Sequence, residues 1–133
     1  MGRVLYLFLR KQKGQELDIN IEEKTVKRTL RYIARIEGLE ETLPNTNPVT
    51  YRFSLRVALN LDYFDVSDKA KLIVEFKKLV KENEFEKPEK LIDRITDIIA
   101  KYSTETPFSY RFSAESYASA DLPRQKFRVE VYP

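Results

Sequence analysis

The sequence predicts an α+β fold: a mainly antiparallel sheet of about five strands with three helices, in the order ββαβααββ, as a single domain over 1–133. Three observations carry that expectation. Residues 49–62 alternate strictly. Tyr51, Phe53, Leu55, Val57, Leu59 and Leu61 fall on one side, and Arg52, Ser54, Arg56, Ala58, Asn60 and Asp62 on the other. That is the period-2 pattern of a strand with one dry face. Residues 3–10 and 16–21 flank a polar turn containing Gly14, as the arms of a hairpin do. Three further stretches space their apolar residues at helical intervals. The chain has 133 residues, the length of one domain with a real core.

Taken in order, strand 3–10 is apolar on both sides from Val4 to Leu9. Such a strand is central and covered on both faces, or lies in a subunit interface, which favours a homodimer. Leu17, Ile19 and Ile21 alternate in strand 16–21. Val26, Leu30, Ile33 and Ala34 then space as a helix over 23–38, with Gly38 as its C-terminal cap. Residues 40–47 read as a turn-rich loop before strand 49–62.

Asp65, Ser67 and Asp68 offer cap oxygens to a helix over 67–83, with the stripe Leu72, Ile73, Phe76, Leu79 and Val80. Pro88 suits the first turn of a helix over 88–102, which presents Leu91, Ile92, Ile95, Ile98, Ile99 and Tyr102. Strands follow at 107–114, with Phe108, Tyr110 and Phe112 inward, and at 125–132. Residues 113–121 read as strand end or loop. The segments 23–38 and 88–102 match in apolar spacing, and each leads to Pro-x-x-Tyr-Arg-Phe-Ser. They are either a helix–loop–strand unit used twice or a coincidence of strand-favouring residues.

Composition narrows the chemistry. Hydrophobic residues make up 42% and charged residues 34%, which excludes a disordered chain and a membrane-embedded one. No apolar run approaches the roughly 20 residues that span a bilayer. A signal peptide is not expected, and a cytoplasmic location is. Cysteine and histidine are both absent. Thiolate or imidazole metal sites and histidine-assisted nucleophiles are therefore excluded, and no cofactor is expected. The lack of Cys, His and Trp beside abundant Lys and Glu leans toward a heat-adapted, archaeal or viral source.

Charge is spread unevenly. Residues 1–36 balance to +5 and the remainder to −2. On a helix over 23–38, Lys24, Lys27, Arg28, Arg31 and Arg35 would share one face, with no acid between Lys24 and Ile36. Like charges at i,i+4 cost a few tenths of a kcal/mol each, which a phosphate-bearing partner would justify. Arg10, Lys11 and Lys13 would extend that patch. Arg52 and Arg56 on the wet face of strand 49–62, with Arg111 and Arg128, would add to it. The aromatic residues of strands 49–62 and 107–114 alternate onto the dry face, so base stacking is not expected there.

Asp62, Asp65 and Asp68 could as oxygen donors hold a hard cation, but Asp65 and Asp68 have an ordinary use as caps. The resulting expectation is a non-enzymatic protein that contacts DNA or RNA backbone through a basic helix. The competing one is a homodimeric interaction or structural module, such as a viral or host-directed inhibitor, with no nucleic-acid partner.

Overall fold

In the computed structural model, residues 2–12, 14–43, 50–82, 85, 87–105, 109–119 and 122–133 are described, with backbone alone at 43, 50, 110, 112–119 and 122–124. Strands β1 (Gly2–Gln12), β2 (Asp18–Val26), β3 (Ala34–Leu43) and β4 (Thr50–Asn60) come first. Helices α1 (Lys69–Lys78) and α2 (Pro88–Tyr102) follow, then β5 (Ser109–Ser119) and β6 (Leu122–Tyr132). The strands form one six-stranded sheet in the order β2-β1-β4-β3-β6-β5, and every neighbouring pair is antiparallel. The α+β class is met, with the order ββββααββ.

The helix expected over 23–38 is replaced by the end of β2, a connector over 27–33 and most of the first half of β3. Local propensity and tertiary pairing agree in this. Thr25, Val26, Thr29, Ile33 and Ile36 are β-branched and lose side-chain freedom in a helix. Ala34, Ile36 and Gly38 stand at every second position, opposite Leu59, Val57 and Leu55 of β4. A strand there supplies β4 with its second neighbour. With that helix gone, the helix–loop–strand repeat goes too, since the segment before β4 is a strand. The expected loop at 40–47 is likewise β3 as far as Leu43, and residues 44–49 lie outside the described residues.

The core lies between one sheet face and the two helices. Leu5, Leu7 and Leu9 stand opposite Leu59, Val57 and Leu55, and all six are at most 1% exposed. Leu72, Phe76, Leu91, Ile95 and Ile99 close over them. Each such side chain removed from water stabilises the fold by roughly 1.5–3 kcal/mol before chain entropy is charged against it. Helix α2 begins at Pro88 as its first-turn proline implies. Helix α1 is shorter than the 67–83 expected, with 3-10 turns at Val66–Asp68 and Leu79–Lys81 on its flanks. Neither Asp65 nor Asp68 caps with its side chain. Among the described residues, no helix is long and apolar enough to cross a membrane.

Two contacts set the shape of the sheet. Gly38 is a mid-strand residue of β3, not a helix cap, and Phe127 of β6 stands opposite it. The Phe127 ring lies over the glycine so closely that a Cβ there would overlap it. Asn60, 1% exposed, holds the 27–33 connector. Its side-chain amide donates to the carbonyls of Leu30 and Tyr32, both at 3.1 Å. Its backbone N–H donates to the Ile33 carbonyl at 2.9 Å. Its side-chain oxygen accepts from the Asp62 N–H at 3.2 Å.

Candidate nucleic-acid interface

The helices cover one face of the sheet and leave much of the other open, except at its Val4–Asn60 end, which is buried where Asn60 holds the 27–33 connector. Antiparallel register determines what that open face carries. One row reads across the sheet as Asn20, Phe8, Arg56, Glu37 and Arg128. The next reads Asp18, Arg10, Ser54, Leu39 and Lys126. A third, on the opposite side of the first, reads Glu22, Tyr6, Ala58, Arg35 and Glu130. The first two rows enclose an open groove of about 560 Å³, with Phe8, Glu37, Leu39, Ser54, Arg56, Lys126 and Arg128 on its walls and floor.

Most cations of this face are paired. Arg10 meets Asp18 at 3.2 Å and Arg52 meets Glu41 at 3.3 Å. Arg128 meets Glu37 at 3.3 Å, and Arg35 reaches Glu130 at 3.8 Å and Glu37 at 4.0 Å. Lys24 lies 3.7 Å from Glu22. The Arg10–Asp18, Arg128–Glu37 and Lys24–Glu22 pairs are exposed on both sides. Such pairs contribute between nothing and about 1 kcal/mol each, so a phosphate can displace the acid there at little cost.

Arg56 differs. It has no ion-pair partner among the described residues, although Glu37 stands directly opposite it in register. Its guanidinium rests instead over the Phe8 ring, 5.6 Å from the centroid. The Arg10 guanidinium stands 5.5 Å from the same ring. Such cation–π contacts are worth about 0.5–1 kcal/mol at exposed sites.

The expected site residues are therefore redistributed. Arg10, Lys24, Arg35, Arg52 and Arg56 share the open face, though on four different strands. Lys24 stands on β2, separated from Arg35 on β3 by β1 and β4. Lys27, Arg28 and Arg31 are exposed on the connector. They carry no ion pair among the described residues. Tyr32 ties this connector to the face, since its ring lies 4.9 Å from the Arg35 guanidinium. Burial raises the Tyr32 phenol above its usual range, against the opposing pull of Arg35 and Arg28.

Lys11 is corrected. It falls on the helix side of β1, opposite Phe53, is 7% exposed, and donates its ammonium to the Gln15 carbonyl. Lys13 lies outside the described residues. No group of acids among the described residues could hold a metal ion, and Asp68 is spent near Lys71 at 3.9 Å.

Two aromatic residues were missed by reasoning from strand 49–62 alone. Phe53 is core, 2% exposed, as its alternation implies. Tyr6 and Phe8 alternate the other way, onto the open face beside Ala58 and Arg56. The signal was the two-sided apolar character of strand 1, whose even positions had to go somewhere. No protein-family model, curated protein or solved structure matches this chain.

Proposed function

We propose that this protein binds nucleic acid without catalysis, gripping DNA or RNA phosphates with the open sheet face and the 27–33 connector. The observation that supports this most is Arg56. It is an exposed guanidinium without an acid among the described residues, in the floor of the groove and on an aromatic ring. Lys27, Arg28 and Arg31, exposed and without an ion pair among the described residues, add to it at the connector. Guanidiniums bind phosphate oxygens with charge-assisted, often bidentate hydrogen bonds. The basic helix of the sequence reading is gone, but its cations remain on a surface that can meet a polyanion.

Fluorescence anisotropy with a labelled oligonucleotide tests this reading. Binding should weaken steeply between about 50 and 200 mM salt as counterion release predicts. Arg56→Glu, and separately Lys27→Glu with Arg31→Glu, should each weaken it about tenfold or more. Binding that ignores both sets of substitutions contradicts the proposal.

A second reading is that a second copy of this chain covers the open face. Half-buried Tyr6, Phe8 and Leu39 on that face favour it. It predicts a mass that doubles with protein concentration and returns to one chain in Phe8→Arg.

A further inference from the structure

We infer that the groove takes a single strand and not a duplex, with one base stacked at Phe8; this rests on the phosphate-binding reading above. Phe8 is half-buried on the open face, with two guanidiniums within 6 Å of its ring, from Arg10 and Arg56. A base that takes the place of a guanidinium over the ring leaves that cation beside it for the adjoining phosphate, an arrangement that suits a nucleotide, with its planar base face and anionic phosphates. Glu37 and Ser54 face the same groove. They offer a carboxylate and a hydroxyl to the hydrogen-bonding edge of an unpaired base.

A duplex cannot use this arrangement. Its base faces are stacked inside the helix, so it presents phosphates and base edges but no base face to the sheet. The duplex would meet Arg56, Arg128 and Lys126 and leave Phe8 idle. A single strand can satisfy the ring and the cations together. The Arg10 guanidinium stands 5.5 Å from the centroid of the Phe8 ring, so a stacking position and a cation lie within reach of one nucleotide. The groove, at about 560 Å³, is within the roughly 300–1,000 Å³ range of sites that take small organic groups.

The test compares a labelled single strand of about twelve nucleotides, as oligo-dT and as oligo-U, with a hairpin duplex of equal phosphate number. Wild type, Phe8→Leu, Phe8→Tyr and Arg56→Gln are titrated at one salt concentration, with circular dichroism confirming that each variant is folded. Wild type should favour the single strand by about tenfold. Phe8→Leu should lose about tenfold on the single strand and nothing on the duplex, while Phe8→Tyr retains both. Arg56→Gln should weaken both.

Equal affinity for duplex and single strand overturns the inference, as does unchanged single-strand binding in Phe8→Leu. In either case the phosphate reading survives if binding remains salt-dependent and Arg56-dependent. Binding of neither nucleic acid at about 50 mM salt overturns both.

Discussion

Arg56 stands directly opposite both Phe8 and Glu37 on the open face, and its guanidinium lies over the ring, not in an ion pair with the acid. Glu37 is engaged elsewhere, with Arg128 at 3.3 Å and Arg35 at 4.0 Å. The consequence is a cation held in place by a weak cation–π contact and available to an outside anion. Arg56→Gln should therefore cost little fold stability, about 1 kcal/mol or less. The same substitution should lower the magnitude of the salt slope of nucleic-acid binding by roughly 0.7–0.9. Urea denaturation and a salt titration of the same variant check both halves.

Gly38 accommodates the Phe127 ring in a space no larger side chain can share. Gly38→Ala should destabilise the fold by about 1–3 kcal/mol, the usual cost of overpacking. Gly38→Ala combined with Phe127→Leu should lose less than the sum of the two single changes, because the second relieves the overlap created by the first. A double-mutant cycle in chemical denaturation measures that coupling.

Asn60 carries the connector on which Lys27, Arg28 and Arg31 sit. Asn60→Ala removes the donors to the Leu30 and Tyr32 carbonyls and should cost about 1–3 kcal/mol for leaving these groups unsatisfied. Amide hydrogen exchange should accelerate over 30–34 more than in α2. Asn60→Asp keeps the acceptor for the Asp62 N–H but turns a carboxylate toward two carbonyl oxygens in a buried site, and should cost at least as much as Asn60→Ala at neutral pH.

Glu40 supplies a pH dependence. Burial raises its carboxyl above the ordinary 4.5, with Tyr51 pulling it down, Glu89 adding to the rise and Lys87 opposing it. The folded state thus holds this proton more tightly than the unfolded chain does. Its contribution is fully present below about pH 4.5 and is lost as pH climbs through the raised value. Glu40→Gln should raise stability at pH 7 and flatten the stability profile just above pH 4.5. The ion pair of Glu23 with Lys69, 2.6 Å apart, runs in the opposite sense. The Lys69 hydrogen bond lowers the Glu23 value, so that contribution is lost as pH falls through it. Thermal melts of Glu40→Gln and of Glu23→Gln across acid pH separate the two.

Several elements were legible because local pattern and packing agree. Helix α2 is bounded as Pro88 and the apolar spacing to Tyr102 imply. Strand β4 buries Phe53, Leu55, Val57 and Leu59 as its alternation implies. The 23–38 segment misled because Val26, Leu30, Ile33 and Ala34 fit a helical stripe while Ala34, Ile36 and Gly38 fit a strand. Only the pairing of β3 between β4 and β6 decides between these. Arg52 and Arg56 were readable as open-face cations from alternation alone. Phe8 was not, because Arg56 beside it on that face comes from a strand distant in sequence, and register across the sheet brings the two together.

The most direct test of the open-face account is a backbone amide chemical-shift titration of the isotope-labelled protein with a single-stranded oligonucleotide. Shifts are expected at Phe8, Arg10, Leu39, Ser54, Arg56 and Arg128 and along the 27–32 connector, with the outward sides of α1 and α2 unmoved. Shifts confined to the helices, or none at low salt, would contradict it.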